Sequence, residues 1–335
     1  MSFGHSLSVL LPRDLESEHR LCGKLAGLGA EVHHVDMAIL RREYLSKRGV
    51  LFLVRTWVGS WRATRRFLRE ADLVYVNTSA SLPIVPMVPR KTLSLLHVHE
   101  YWRPREAPVL RRLASGCNRV VAVSGAVTAP LGSRLGAKTT VIYNGLEDQS
   151  SRAAVGAGEG LVALIASRWN EWKGHETLGE AWGAGIPGMT LIVLGGPPDS
   201  GKAVDVRRAF AASEPPVQIL GEIEDVSGVI SSVDLVIVPS DRPDPLPTIA
   251  LEALRAGVPV IGSAHGGMAE ILGDNDAGWL FEPGNAEDLR RVLTSIDAGT
   301  LRRRAIAARR RFEDLFEASR ADQMWGELIE YLVTR

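Results

Sequence analysis

Four residues carry the chemistry that this sequence can do: Arg168, Lys173, Asp244 and Glu252. The two cations lie in ASRWNEWKGHETL (166–178), directly after the apolar run Leu161–Ala166 and before a helical stretch. They therefore fall on a loop at the carboxyl end of a strand, where open α/β sheets bind their ligands. Arginine offers a planar fork for paired oxygens and lysine a mobile point charge, a combination that suits a diphosphate. Asp244 and Glu252 stand eight positions apart in DPLPTIALEA. Pro247 suits the first turn of a short helix there, and Gly257 suits its C-terminal cap. Both carboxylates then border one cleft beside a helix N-terminus, whose unpaired N–H groups and dipole seat a phosphate. Glu252 can accept from the vicinal hydroxyls of a ribose, and Asp244 from a hydroxyl of a bound sugar. Simpler roles compete: solvated loop cations, an N-terminal cap for Asp244, and a surface pair of Glu252 with Arg255.

Two glycine-rich stretches need weighing. GGPPDSGKA (195–203) matches G-x-x-x-x-G-K from Gly196 to Lys202. A P-loop would next place Ser or Thr on Mg²⁺, whereas Ala203 stands here, and two prolines remove backbone donors from the loop. The segment reads as a strand-to-helix turn and not as a nucleoside triphosphatase site. In SAHGGMAE (263–270), Gly266 and Gly267 allow close backbone approach to a ligand or serve an ordinary loop, and Glu270 follows at the next helix.

These residues are positioned by an alternation of short apolar runs and amphipathic stretches. The runs of the first half are Leu7–Leu11, Glu31–Val35, Leu73–Asn77, Thr92–Val98, Arg119–Val123 and Thr140–Tyr143. Those of the second half are Leu161–Ala166, Thr190–Leu194, Val217–Leu220, Asp234–Pro239 and Val258–Ile261. Such alternation predicts βαβ units and parallel sheets. The polar, small-residue stretch 144–160 interrupts it. The expected organisation is an N-terminal domain over 1–148, a linker over 149–160, a second domain over 161–315 and a C-terminal helix over 316–335. The tail from Leu301 has apolar residues at helical spacing only, which predicts two or three helices.

Composition sets the outer bounds. The 335 residues are 45% hydrophobic and 23% charged with zero formal net charge, the profile of an ordered globular chain long enough for two cores. Cys22 and Cys117 lie far apart, so neither a disulfide framework nor a metal cluster is expected, and a reducing cytoplasm fits. The N-terminal apolar run is short and broken by Arg13 and Asp14, which predicts a first strand and not a signal peptide. No stretch is long enough to cross a bilayer. Residues 1–150 hold 21 Lys and Arg against 12 Asp and Glu, and residues 151–335 hold 18 against 27. A basic N-terminal half suits an anionic lipid surface or a phosphate-bearing acceptor, and equally suits two domains of complementary charge. Within it, residues 49–70 mix Phe52, Trp57, Trp61 and Phe67 with Arg55, Arg62, Arg65, Arg66 and Arg69. That mixture fits peripheral attachment to an anionic membrane, or an amphipathic helix packed on its own sheet.

Taken together, VIYNG (141–145), the Arg168/Lys173 loop, the Asp244/Glu252 spacing and GGMAE (266–270) resemble the retaining glycosyltransferases of family 4, across nearly the whole chain. The resemblance implies the GT-B fold: two facing Rossmann-like doubly wound α/β domains, with the C-terminal helices crossing back to the N-terminal domain. It implies that Arg168 and Lys173 bind the donor diphosphate, Glu252 the ribose and Asp244 the transferred sugar, with the backbone of Pro245, Leu246, Pro247 and Thr248, and Gly266 and Gly267, also at the donor. The family's acidic motif opens with Glu, and this chain has the shorter Asp244 there. A histidine of the N-terminal domain is implied over the donor sugar. Of His97 and His99 in LSLLHVHEYW (93–102), His99 matches better, and His97 shares its strand parity. Many relatives have adjacent glycines after the first strand; this chain reads LLPRDLESEHR (10–20), where Arg13 stands as a diphosphate or acceptor contact. The expected activity is transfer of a sugar from a UDP- or GDP-sugar to a glycan, lipid-linked or small-molecule acceptor, with no obligatory metal or cofactor and no nucleic-acid partner. The expected location is cytoplasmic, with the inner face of the cell membrane as a peripheral site. A sugar-nucleotide epimerase and a non-catalytic nucleotide-sugar-binding subunit share this architecture.

Overall fold

A computed structural model describes residues 6–13, 19–41, 47–149, 153–198, 201–273 and 276–334. Parts of the first-strand loop (14–18), of the expected linker (150–152) and of the GGPPDSGKA segment (199–200) lie outside the described residues. The chain forms two compact units: residues 1–121, 130–140 and 332–335 make the first, and 122–129 and 141–331 the second.

In the first unit, β1 (Ser8–Pro12) leads through α1 (His19–Gly27) to β2 (Glu31–Val35), and the two strands pair in parallel. Next come α2 (Lys47–Leu68), β3 (Leu73–Val76), a 3₁₀ segment over Ser79–Met87, β4 (Leu93–Val98), α3 (Ala107–Ala114), β5 (Arg119–Ala122), α4 (Gly132–Gly136) and β6 (Thr139–Val141). These four strands form a second sheet in the order β3-β4-β5-β6, with Leu95, Leu96, Val98 and Val120 buried. Five of these six strands stand at the strand candidates of the first half, and β6 overlaps the run Thr140–Tyr143 before the expected linker; the six divide into two sheets.

Helix α2 packs against its own unit, as one of the two alternatives for residues 49–70 expects. Trp57 Nε1 donates to the Pro83 carbonyl at 2.7 Å, Trp61 packs edge-on to Trp57, and Phe67 packs edge-on to His33. Arg65 donates to the Met87 carbonyl at 2.9 Å. Two of the four aromatic rings, Trp57 and Phe67, and one arginine therefore fasten the helix to its own unit, while Trp61 packs on Trp57 within the helix. The large apolar side chains it exposes are Val50, Leu51, Phe52, Val54 and Val58.

The second unit carries β7 (Leu161–Ala166), α5 (His175–Trp182), β8 (Met189–Leu194), α6 (Val206–Ala209), β9 (Gln218–Gly221), α7 (Val226–Ile230) and β10 (Leu235–Val238). It continues through α8 (Thr248–Ala256), β11 (Val260–Ser263), α9 (Met268–Leu272), β12 (Gly278–Phe281) and α10 (Ala286–Thr294). The six strands run parallel in the order β12-β11-β10-β7-β8-β9. Chain progression reverses direction between β7 and β10, and at such a reversal the loops leaving the two strands part and open a crevice. Beneath it, Ile165, Leu178, Trp182, Leu191, Val193, Leu235, Ile237 and Ile261 make a continuous buried core. The tail folds as two helices, α11 (Ala298–Leu315) and α12 (Ala318–Val333). No helix among the described residues is long and apolar enough to cross a membrane.

Candidate functional site

The crevice is built by the loops after β7 and β10. After β7 the chain makes a 3₁₀ turn over Glu171–Lys173 and then passes Gly174 in the left-handed region at φ 74°. A Cβ at Gly174 would stand 1.6 Å from the Pro239 carbonyl oxygen, so only glycine lets this loop cross the exit of β10. The Asp241 N–H donates to the Trp172 carbonyl at 2.9 Å, which ties the loops together. The crossing sets Lys173 Nζ 2.7 Å from Asp244 Oδ2 and 4.1 Å over the Trp172 ring.

Helix α8 starts at Thr248 with Pro247 as its N-cap and no side-chain capping bond, and it ends on Gly257 at φ 75°, as its sequence predicts. Two cavities meet at its first turn. One, of about 400 Å³, is lined by Arg168, Lys173, Asp244, Leu246, Pro247 and Thr248, among others. The other, of about 560 Å³, is lined by Gly195, Glu222, Ser227 and Glu252, among others. Ala166, Ser167, Thr248 and Ile249 face both. The arrangement places two cations and a helix N-terminus at one chamber and a carboxylate at the next, spaced for an elongated anion with a polyhydroxyl group at one end.

Neither simpler role for the carboxylates holds. Asp244 pairs with Lys173 and does not cap α8. Arg255 is buried and donates to the Glu147 carbonyl and to Ser227 Oγ, and among the described residues no ion pair joins it to Glu252. Burial holds the Glu252 carboxyl above its usual range, against the opposing pull of Arg255. His175, behind the cation loop, is fully buried; burial, reinforced by the Lys173 charge, lowers its ring to about 4, so it is neutral. Thr177 Oγ1 donates to Asp241 Oδ1 at 2.8 Å.

Three residues assigned to the donor take a different place. A Cβ at Gly266 (φ 59°) would stand 2.2 Å from the Asp244 carbonyl oxygen, and one at Gly267 would stand 2.2 Å from that of Pro245. Gly267 N–H also donates to the Asp244 carbonyl at 2.9 Å, and Ser124 Oγ donates to the Pro245 carbonyl at 2.6 Å. The close approach that these glycines permit is that of the chain to itself. Gly266, Gly267 and Pro245 hold the loop that presents Asp244 and do not line the two cavities. Glu270, named in sequence only as the acid of the next helix, accepts from Gly125 N–H, Ala126 N–H and Tyr143 Oη at 2.7, 2.6 and 3.1 Å. Burial and this carboxylate push the Tyr143 hydroxyl up to about 12.

The GGPPDSGKA segment runs beside the cation loop. Ala203 bridges Asn170 antiparallel, Lys202 pairs with Glu171 at 3.8 Å, and the next helix, α6, starts at Val206 behind an Asp205 cap. Helix geometry for a P-loop is missing at Ala203. Among the described residues, no group of three or more His, Cys, Asp or Glu could hold a metal ion.

In the first unit, His97 and His99 lie side by side with centroids 3.9 Å apart and rings tilted by 51°, on the one face that their shared parity predicts. Tyr75 Oη lies 2.5 Å from His97 Nδ1, and His99 Nε2 lies 3.3 Å from Asn77 Oδ1. Burial lowers the His97 ring to about 3 and lowers that of His99 too, against the raising effect of Glu100. Glu100 itself bonds Thr78, Ser79 N–H and Ser79 Oγ. Arg13 is exposed, its Nε 3.7 Å from Asp36 Oδ1.

This fold is shared with known enzymes. Anabaena HepE, solved in complex with UDP-glucose, superimposes with a TM-score of 0.76 at 21% identity, over 96% of this chain and 91% of HepE. Sucrose-phosphate synthase of Thermosynechococcus elongatus gives 0.76 at 18% identity, over 98% of this chain and 99% of the synthase. The fold is the GT-B class, with two Rossmann-like domains. The family described as "Glycosyltransferase Family 4" matches residues 3–150, and that described as "Glycosyl transferases group 1" matches residues 148–311. The chain belongs to the group 1/family 4 glycosyltransferases. D-inositol 3-phosphate glycosyltransferase of Mycobacterium marinum is 33% identical over 169 residues, 47% of this chain and 34% of that protein. Amylovoran biosynthesis glycosyltransferase AmsK of Erwinia amylovora is 28% identical over 116 residues, 32% of this chain and 28% of that protein. The chain thus spans about a third of the length of these curated relatives.

Proposed function

We propose that this chain transfers a sugar from a nucleoside diphosphate sugar to an acceptor with retention of anomeric configuration. The observation that carries this reading is the pair of cavities meeting at the first turn of α8, with Arg168, Lys173 and Asp244 in one and Glu252 in the other. Glu252 receives the ribose hydroxyls. Arg168, Lys173 and the N–H groups of the first turn of α8 receive the diphosphate, with Leu246, Pro247 and Thr248 as its wall. Asp244 receives a hydroxyl of the sugar. As the diphosphate departs, negative charge grows on its oxygens, so cations and dipoles fixed there stabilise the transition state more than the ground state. HepE, bound to UDP-glucose, supports uridine as the first nucleotide to assay, with GDP-sugars beside it.

The family resemblance gives His99 of the first unit a part in catalysis, and the half-buried ring, its basicity lowered by burial, suits hydrogen bonding to a hydroxyl. Arg13, exposed beside Asp36, is assigned to acceptor contact. The acceptor is a glycan, a lipid-linked glycan or a small molecule, and the reading extends to a cytoplasmic location with peripheral association of residues 49–70 with a membrane.

The test is nucleoside diphosphate release from a panel of UDP- and GDP-sugars, then acceptor trials with the productive donor. Lys173→Ala should lower turnover about a hundred-fold or more with an unchanged fold. His99→Ala should lower it without weakening nucleotide binding. Full activity in Lys173→Ala and Glu252→Ala together would overturn the assignment, and donor conversion without any acceptor would mark an epimerase.

A further inference from the structure

We propose that Trp172 is a positioning residue for the donor diphosphate, its ring face holding the Lys173 ammonium at the chamber while that ammonium passes from Asp244 to the phosphate oxygens. This rests on the assignment of Lys173 to the diphosphate, and names what keeps the cation in place once its carboxylate partner is exchanged.

The cation loop carries two tryptophans with different places. Trp169 packs against the buried core of the second unit. Trp172 is not part of that core; it is half-buried and lines the chamber together with Arg168, Lys173 and Asp244. Its backbone is fixed on both sides, in the middle of the 3₁₀ turn Glu171–Lys173 and with its carbonyl accepting from Asp241 N–H at 2.9 Å. The ring is therefore mounted on the same loop crossing that sets Lys173 against Asp244. Lys173 Nζ stands 4.1 Å from the ring centroid and 2.7 Å from Asp244 Oδ2. Glu171, the acid of the same turn, pairs with Arg242 at 2.7 Å and with Lys202 at 3.8 Å, so its charge is turned to other cations. Among the described residues, the ammonium is held by the ring and by Asp244.

The two holders act differently. Asp244 is a full negative charge, with which an incoming diphosphate must share the ammonium or which it must displace. The Trp172 ring offers only the negative face of its quadrupole, well inside the ~6 Å over which a cation is attracted to it, so it keeps its hold as the anions change places. Lysine is a compact charge on a flexible four-carbon stem, and one released by its carboxylate and held by nothing else turns out to water. Against the ring it stays where charge grows on the departing phosphate, and it is ordered before the donor arrives. A tryptophan face can also stack on a sugar ring or shield the loop, and either role acts whether or not residue 173 is charged.

The experiment is a double-mutant cycle, read by calorimetric titration of the full chain with UDP and with GDP. Trp172→Leu should weaken binding of the nucleotide that the parent takes by about three- to ten-fold, the range of a partly desolvated cation–π contact. In a Lys173→Met background the same substitution should change affinity by less than about two-fold. Tryptophans carrying one, two and three fluorines, placed at position 172 alone, should weaken binding in step, because each fluorine drains charge from the ring face. Their melting temperature should stay at that of the parent, and this series decides the matter even where Trp172→Leu does not fold. Equal weakening by Trp172→Leu in both backgrounds overturns the proposal and leaves the ring a packing or stacking surface. Affinity indifferent to fluorination overturns it as well. Weakening by Lys173→Met with none by Trp172→Leu overturns the proposal alone. Parent affinity retained by Lys173→Met, or a parent that binds neither nucleotide, overturns the donor assignment and the proposal with it.

Discussion

Lys173 Nζ stands 2.7 Å from Asp244 Oδ2, and both side chains are about four-fifths shielded from solvent. The cation assigned to the departing diphosphate and the carboxylate assigned to the sugar therefore hold each other, across 71 positions of sequence. On that assignment, a diphosphate arriving at Lys173 would compete with Asp244 for the same ammonium. Exchange of that partner frees the carboxylate as the cation is taken up.

Asp244→Asn tests this exchange. Freed from its carboxylate, Lys173 should bind nucleoside diphosphate up to about five-fold more tightly, the range of a partly exposed ion pair. Turnover with the intact donor should fall, since the sugar loses its charged acceptor. Calorimetric titration with the nucleoside diphosphate product at low salt gives the first quantity and steady-state assay the second. An unchanged affinity would show that the pair does not compete with the ligand.

Glu252→Gln should weaken nucleotide binding by roughly ten- to a hundred-fold, because hydrogen bonds to a charged acceptor are worth more than those to an amide. Its stability effect has the opposite sign. Burial raises the native carboxyl above its unfolded value, so its contribution is full below the unfolded pKa and is lost as pH rises through the native one. At neutral pH the glutamine variant should therefore melt at or above the parent temperature. A clear drop in melting temperature there would mean that Glu252 is charged and internally paired.

Gly174→Ala adds a Cβ 1.6 Å from the Pro239 carbonyl oxygen, at a φ of 74° that alanine disfavours. The loop must move, at about 1–3 kcal/mol for the strained backbone alone. Since Lys173 is the preceding residue, nucleotide affinity should fall with stability. Thermal melts with and without nucleotide separate the two effects, and a variant with parent stability would refute the crossing described for this loop.

Acid should destabilise the second unit through His175. Its native pKa, lowered to about 4, lies below the unfolded value of 6.5. The stability linked to the neutral ring is present above 6.5 and is lost as pH falls toward 4, by about 3 kcal/mol in full. His175→Gln should flatten the denaturation midpoint over that window. An equally steep profile in the variant would place the titrating group elsewhere.

Much of this was legible in the residues because short parallel strands announce themselves. β2 and β7 have the bounds of their apolar runs, and α8 opens at Pro247 and closes on Gly257. β12 has no such signal. It is four residues long and begins with Gly278, where a Cβ would stand 1.9 Å from the Val260 carbonyl oxygen, so packing dictates a residue that local preference excludes from strands. The Lys173–Asp244 pairing was illegible for another reason: spacing along the chain reports which residues share an element, and this bond joins loops from two strands. Gly266 and Gly267 marked a close approach correctly, while pattern alone does not say whether ligand or backbone approaches. On α2 the aromatic composition was visible, and its direction, with Trp57 and Phe67 turned onto neighbouring elements, was fixed only by the packing of the helix.

The shared wall between the two cavities bears on how specificity can change. Ser167, Thr248 and Ile249 face both chambers, whereas Glu222–Ser227 faces only the one beside Glu252. A bulkier residue at Ile249 is felt by both ends of a donor at once. On the donor placement proposed above, exchanging the 222–227 loop between homologues should alter the nucleoside end and leave the sugar end as it was. That loop is then the seam along which the choice of base would change separately from the choice of sugar.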